Sequence, residues 1–172
     1  ILYYLDFTEH KNISHITGIS RIDEEKYVWI DRFTIRNLEL FSSNSMMEKT
    51  GFADVIDRTT TPMGGRLLKQ WIALPIKDIG ALNRRHDVVQ QFREHDELAF
   101  DTGEILERIA DLERLSSRIA AGRITPREMV QLKLSLGAIG ELKALLAETG
   151  NEALVELAAG LDTCDQQRER IG

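Results

Sequence analysis

Thr125-Pro126-Arg127-Glu128 opens the stretch that decides the fold, because Met129, Leu132, Leu136, Ile139 and Leu146 then recur at helical spacing as far as Gly150. A threonine hydroxyl can accept from the free N–H groups of a first helical turn. Proline suits the first helical position, and a glutamate three residues after the cap reaches back to it. Upstream, Ile105, Ile109, Leu112 and Ile119 predict one helix over 104–121, ending at Gly122, a natural left-handed cap. Only a short loop separates the two helices, so their apolar seams face each other as an antiparallel pair. Each buried leucine is worth ~1.5–3 kcal/mol. A dozen such residues outweigh the ~1 kcal/mol apiece that Gly137 and Gly140 cost inside the second helix.

Working outward, Asn151 caps a last helix carrying Leu154, Leu157 and Leu161. Thr61-Pro62 starts a helix bearing Met63, Leu67, Leu68, Trp71 and Ile72, which stops before Pro75. Asp78 caps the next, with Ile79, Leu82, Val88, Val89 and Phe92. Phe52 to Asp57 is a short helical stretch, Asp31 caps a segment running through Leu40, and Ser42 to Ser45 interrupts. Ile1 to Glu9 forms a short helix. The one β signal is Ile16 to Ile22 and Tyr27-Val28-Trp29-Ile30 about the acidic turn Asp23-Glu24-Glu25, a two-stranded ribbon that needs helices to lie on. The fold class is mainly α: a bundle-like multi-helix core with a small two-stranded β ribbon near the N-terminus.

The 172 residues, 42% hydrophobic and 29% charged, suffice for one domain with a real core. A net charge of −6 argues against a self-sufficient nucleic-acid binder. No apolar run approaches the roughly 20 residues that span a bilayer, and Asp6 follows the opening Ile1-Leu2-Tyr3-Tyr4-Leu5 too soon for a signal peptide. The start at Ile reads as a segment of something longer. A single cysteine, Cys164, excludes an internal disulfide, cannot make a cysteine zinc site alone, and reads as a spectator thiol near the end of a helix in a reducing compartment.

Candidate chemistry is thin. Thr60-Thr61-Pro62-Met63-Gly64-Gly65-Arg66 invites a phosphate loop, but the glycines are adjacent, the base is arginine, and Leu67 stands where a hydroxyl should follow. Small residues that let another backbone approach account for it better. His10 and His15, with Asp6 or Glu9, lack helical ligand spacing and read as surface residues, as do His86 and His95. Glu107, Asp111 and Glu113 alternate with Arg108, Arg114 and Arg118 and suggest i,i+4 pairs on a helical surface. Arg58, Arg66, Lys69, Lys77, Arg84, Arg85 and Arg93 form the most anion-friendly stretch. It reads as a solvated face or an interface to an acidic part of a larger protein rather than an independent DNA site.

Three ordered segments carry a family resemblance. Asp31-Arg32-Phe33-Thr34-Ile35-Arg36-Asn37-Leu38-Glu39-Leu40 resembles the D-x-x-T-x-R-N-L-E-L segment of MutS proteins. The run from Val55 to Trp71, with Asp57, Thr59, Thr61, Met63, Gly64, Arg66 and then Pro75, is similar to that family's L-D-x-T-x-T-x-M-G-x-R-L-L-x-x-W. Asp111-Leu112-Glu113-Arg114, followed by Arg118-Ile119-Ala120, resembles its D-L-E-R segment. Ile56 holds the leucine position, and Ile72 replaces the leucine after Trp71.

The resemblance implies the first part of a helical core. Residues 1–30 would be the end of a connector and the ribbon, and 31–172 a core leading toward lever helices. The mismatch reader, the DNA clamp and the ATPase of the family lie elsewhere, and a second stretch returning from the clamp completes the core. No catalytic, metal or cofactor residue carries over. ATP and Mg, mismatched double-stranded DNA, a MutL-type partner and a homodimer belong to the parent, which is cytoplasmic. On this reading Arg36, Asn37 and Glu39 anchor the first core helix through buried hydrogen bonds, Gly64 and Gly65 let that helix approach the 62–73 helix, and Trp71 fills the volume beneath. Trp71→Ala would then cost ~3–5 kcal/mol. A free-standing helical adaptor for an acidic or helical partner is the other reading; an enzyme finds no supporting constellation.

Overall fold

The computed structural model describes residues 25–42 and 50–171. Over them run α1 (Arg32–Asn37), α2 (Phe52–Ile56), α3 (Pro62–Ala73), α4 (Ile79–Glu94), α5 (Asp96–Glu107), α6 (Leu112–Ala120), α7 (Pro126–Ala147), α8 (Glu152–Gly160) and α9 (Asp165–Arg170). The starts follow the capping chemistry. Thr125 Oγ1 accepts from the Glu128 N–H at 3.3 Å, while Glu128 Oε2 accepts from the Thr125 N–H at 2.9 Å. Asp31, Thr61, Asp78 and Asn151 each accept from the N–H three residues on, at 2.6–3.1 Å.

Four helices close a ring: α4 packs on α5, α5 on α7, α7 on α8, and α8 returns to α4, with α6 and α9 laid against α7. The core lies inside it. Leu136, Ala138, Ile139, Leu142 and Leu146 of α7 meet Leu154 and Ala158 of α8 and Ile109, and Val88, Phe92, Ile105 and Met63 lean against them. The α7 positions recur at three and four, so one stripe is buried and the rest of the helix stays wet. The mainly helical, bundle-like fold is as the periodicity predicts, although Leu157 faces solvent rather than the core.

One predicted helix is two. The 104–121 stretch breaks at Arg108–Asp111, so that α5 begins earlier, at Asp96, and α6 restarts at Leu112. Ile109 is buried in the break, the Ala110 N–H donates to Ser135 Oγ at 3.0 Å, and Asp111 caps α6 by accepting from the Arg114 N–H at 3.2 Å. Ser135, 0% exposed in the middle of α7, also donates to the Gln131 carbonyl at 2.8 Å, so both hydroxyl functions are used. A serine on another helix thus holds the kink, and periodicity along 104–121 could not reveal it. The chain also ends on a helix not predicted, α9. Cys164 stands at its start, in the left-handed region with φ 47°, rather than at a helix end. Burial, then the Asp162 carboxylate, pushes its thiol pKa up.

The ribbon is only partly accessible to test. Its first half, 16–22, lies outside the described residues, as does the short helix expected over 1–9. Tyr27 makes an isolated antiparallel bridge with Ile76, not a strand, with Val28 N–H donating to the Pro75 carbonyl at 2.7 Å and Lys77 N–H to the Lys26 carbonyl at 3.0 Å. Among the described residues no helix is long and apolar enough to cross a membrane.

Candidate functional site

The three segments singled out by the sequence fall into two local constructions. In the first, Asp31 Oδ1 accepts from the Thr34 N–H and Oδ2 from the Thr34 hydroxyl, both at 2.9 Å, which holds the Asp31 carboxyl below its ordinary pKa. At the other end of α1, Leu40 N–H donates to the Ile35 carbonyl at 3.2 Å and Glu39 N–H to the Arg36 carbonyl at 3.1 Å. That pair of bonds is a Schellman cap, and it places Glu39 at φ 50° where glycine is usual. The turn aims its carbonyls at α2: Phe52 N–H donates to the Glu39 carbonyl and Ala53 N–H to the Leu40 carbonyl, each at 2.8 Å. Asp54 Oδ2 closes the start of α2 by accepting from the Gly51 N–H at 3.1 Å. A β-carbon on Gly51 would lie 2.6 Å from the backbone of Phe41 and Ser42, so only glycine fits.

This corrects the expected anchoring. Arg36, Asn37 and Leu38 are exposed and Glu39 is half-buried. Among the described residues, main-chain bonds and the Asp31 cap hold the segment in place. A six-residue helix leaves most of its polar groups within reach of water, and its end is satisfied by the next helix's free N–H groups.

The second construction joins the other two segments. Asp57 Oδ1 accepts from the Thr59 hydroxyl at 2.7 Å and the Thr59 N–H at 3.0 Å, which lowers the Asp57 pKa. Thr61 then caps α3 through the Gly64 N–H. A β-carbon at Gly64 would sit 3.1 Å from Thr61 Oγ1, and one at Gly65 3.2 Å from Thr59 Oγ1. What comes close to the paired glycines is therefore the preceding loop, Asp57 to Thr61, and not the 31–40 helix.

From the next turn Arg66 reaches α6. Its Nη2 and Nη1 donate to the two oxygens of Asp111 at 2.7 and 3.0 Å, and its Nε to Glu113 Oε2 at 2.6 Å. Asp111, only 20% exposed, grips Arg66 and caps α6 with the same carboxylate. The guanidinium pulls its pKa down, and Asp111 and then Glu113 push that of Arg66 up. Met63 touches the core one turn earlier, Leu112 leans on that core from α6, and Arg114 is exposed.

Trp71 is 41% exposed and does not fill a core. The Arg85 guanidinium lies 3.6 Å over its ring, a cation–π contact that ties the far end of α3 to α4. Pro75 ends that connection and supplies the carbonyl that Val28 uses. The i,i+4 pairing expected along 104–121 gives way to bridges between separate elements: Arg108 with Glu141 on α7, and Arg118 with Glu128 at 2.7 Å. The Arg66 fork was missed in the sequence for the same reason. Its partners lie 45 and 47 residues away, and helical spacing says nothing of them.

Part of the basic stretch is engaged within the fold, while Arg58, Lys77, Arg84 and Arg93 are exposed. Arg66 and Arg85 are engaged as described, and Lys69 Nζ lies 3.8 Å from Asp54. A polar groove of about 580 Å³ runs beside Asp54, Asp57, Arg66 and Lys69, and another of about 550 Å³ lies between α4 and α8 at Arg84, Gln91 and Asn151. Among the described residues no group of three or more acidic, histidine or cysteine side chains is placed to hold a metal ion.

Comparison with known proteins agrees with this layout. The MutS domain III family model matches residues 33–171. The DNA mismatch repair protein MutS of Flavobacterium psychrophilum is 49% identical over 171 residues, and that of Flavobacterium johnsoniae 50%. The MutS of Cytophaga hutchinsonii is 45% identical. Each alignment covers 99% of this chain and 20% of the relative, so the chain spans about a fifth of the length of the curated relatives it matches.

Proposed function

Because the chain belongs to the MutS domain III family, part of a DNA mismatch repair protein, we propose that it acts as a non-catalytic mechanical element linking the DNA clamp of the full-length protein to its ATPase. The observation that carries this reading is the Arg66–Asp111–Glu113 cluster, which ties a helix outside the bundle ring to one laid on its central member. Stiff helices joined by such struts pass a displacement from one end to the other, which is the physical content of coupling between distant sites. The segment itself performs no chemical step and binds neither metal nor cofactor. In the parent, ATP and Mg, mismatched double-stranded DNA, a MutL-type partner and a second copy engage other domains, in the cytoplasm.

The test is made in the full-length protein. Arg108→Ala removes the strut to Glu141 on α7. Nucleotide binding and DNA binding measured separately should survive, while the change in DNA affinity on adding ATP should shrink. An unaltered nucleotide effect on DNA affinity would sink the coupling role. The purified 172-residue chain should turn over no ATP.

A further inference from the structure

We infer that the corner between α6 and α7 is a docking surface for an acidic segment of a partner protein. From Arg114 to Arg127 the chain carries four arginines, Arg114, Arg118, Arg123 and Arg127, and no acid. Folding gathers them. Arg118 spans the corner, with Nη1 2.7 Å from Glu128 Oε1 and Nη2 donating to the Arg123 carbonyl at 3.4 Å. Arg114 stands one turn before it on α6, near enough to act on the same Glu128 carboxylate. Arg127 precedes Glu128 at the start of α7. The flanking acids are already engaged: Glu113 holds Arg66, and Glu128 is taken up by Arg118 and by the Thr125 cap. Arg114, Arg123 and Arg127 are exposed, and among the described residues none of these three side chains makes an ion pair or a hydrogen bond.

The chemistry fits carboxylates carried on a short segment. A guanidinium offers its donors as a planar fork that matches a carboxylate. A nucleic-acid duplex carries its charge along its whole length. It would run from the corner onto the rest of the chain, which without these four arginines stands at −10 rather than −6. A short acidic segment meets the corner alone, since charges farther off than the screening length of about 8 Å at physiological salt count for little. The exposed neighbours Ser116, Ser117, Ala120, Ala121 and Gly122 are small or polar, and Ile119, 42% exposed, is the one large apolar side chain open to solvent there. A permanent seam with another part of the same protein is more apolar than that, so the surface suits a partner that comes and goes.

This surface is independent of the mechanical role proposed above, and its failure leaves that role standing. The probe is a short fluorescein-labelled helical peptide in which glutamate alternates with alanine and leucine, titrated with the chain and followed by anisotropy. Binding should be saturable, and should weaken about tenfold or more in Arg123→Glu/Arg127→Glu, where like charges face each other. Raising NaCl from about 0.15 to about 1 M, which cuts the screening length from about 8 to about 3 Å, should weaken it as well. Arg58→Glu/Arg93→Glu changes the net charge equally at exposed arginines elsewhere; it should leave binding within about twofold, because distant exposed charges are screened. Equal losses in the two pairs would show attraction to overall charge alone and overturn the surface, as would no binding. A DNA duplex that binds more tightly than the peptide, and loses affinity in Arg123→Glu/Arg127→Glu, would assign the corner to nucleic acid instead. The full-length protein must bind the peptide too; binding by the chain and none by the full-length protein would mean that the corner is covered within the parent, which also overturns the proposal. Should Arg123→Glu/Arg127→Glu fail to fold, Arg114→Gln/Arg123→Gln takes its place, and unchanged affinity there is the overturning result.

Discussion

The region from Tyr27 to Lys77 and the bundle from Ile79 to Leu161 hold their helices by different means. In the bundle the work is done by apolar burial: Leu154 is 1% exposed, and Leu136, Ile139, Leu142 and Leu146 line up against it. Among the described residues of the first region the one buried hydrophobic side chain is Ala53, while Trp29, Phe33 and Val55 stand in solvent, Phe33 at 74%. There α1 and α2 are short, six and five residues, and are joined by main-chain bonds from the turn after α1 to the first N–H groups of α2, while α3 is held by its Thr61 cap and the Arg66 fork. Burial is additive and forgiving of sequence, whereas a backbone junction is all-or-none and admits few residue types. The two regions should therefore respond in opposite ways to the same kind of substitution.

The widest gap is expected between Leu154→Ala and Phe33→Ala. The first opens a cavity in a closed core and should cost about 2–5 kcal/mol; the second removes a ring already in water and should change stability little. Urea unfolding followed by far-ultraviolet circular dichroism measures both. Equal losses would mean that Phe33 has a core of its own and would dissolve the comparison. Trp71→Ala, with the ring partly wet, should fall well short of Leu154→Ala.

Next comes Gly51→Ala. The added β-carbon would lie 2.6 Å from main-chain atoms of Phe41 and Ser42, and backbone cannot step aside as a side chain can. Overpacking of this kind costs about 1–3 kcal/mol. The damage should be local. Both tryptophans, Trp29 and Trp71, lie in the first region, so their fluorescence should report a lowered transition while circular dichroism of the bundle moves less. Coincident shifts in both signals would show the two regions to be one cooperative unit.

Acid sharpens the comparison differently, because ion pairs serve the joints between elements. Asp111, Glu128 and Glu141 are held below their ordinary pKa, by the Arg66 fork, the Thr125 N–H and Arg108 respectively. A carboxyl whose folded pKa is depressed stabilises the fold above its unfolded value, about 3.9–4.3, and loses that contribution as the pH falls through the lower folded value. Thermal melts should thus be flat from neutrality to about pH 5 and fall below pH 4. Asp111→Asn, which can still cap α6 but not neutralise Arg66, should show a shallower acid decline. A slope identical to that of the unaltered chain would deny Asp111 its part.

What the sequence made legible divides along the same line. Two helices here end in the same cap: Arg123 N–H returns to Arg118 and Gly122 N–H to Ile119 after α6, as Leu40 and Glu39 do after α1. At Gly122, φ 64°, the residue type announces the turn; at Glu39, φ 50°, a side chain that rarely adopts it gives no warning. Thr125 to Glu128 could be read because its partners lie within one turn. Ser135 and Arg66 could not, because what they bind is brought near only by folding. Trp71 looked like core because large aromatics usually are. The described structure instead uses its face as a platform for Arg85. For the candidate site, then, the contacts of Arg66 and Trp71 depend on partners far along the chain.

The last effect expected is small and a gain. Gly137 lies inside α7, and a β-carbon there meets nothing within 4 Å. Glycine in a helix interior gives the unfolded chain freedom that alanine does not, at a cost of roughly 0.5–1 kcal/mol. Gly137→Ala should therefore raise the unfolding midpoint slightly, where Gly51→Ala lowers it. The contrast isolates the two modes of construction, since the substitution is chemically identical and only the surroundings differ. Around Gly137 the helix is held by the apolar stripe on its buried side, and its backbone has room to spare. Around Gly51 the backbone is itself the contact surface, and no room exists. Were Gly137→Ala to destabilise the chain, α7 would have to pack closely on that side too, and the bundle would depend on backbone approach as the first region does.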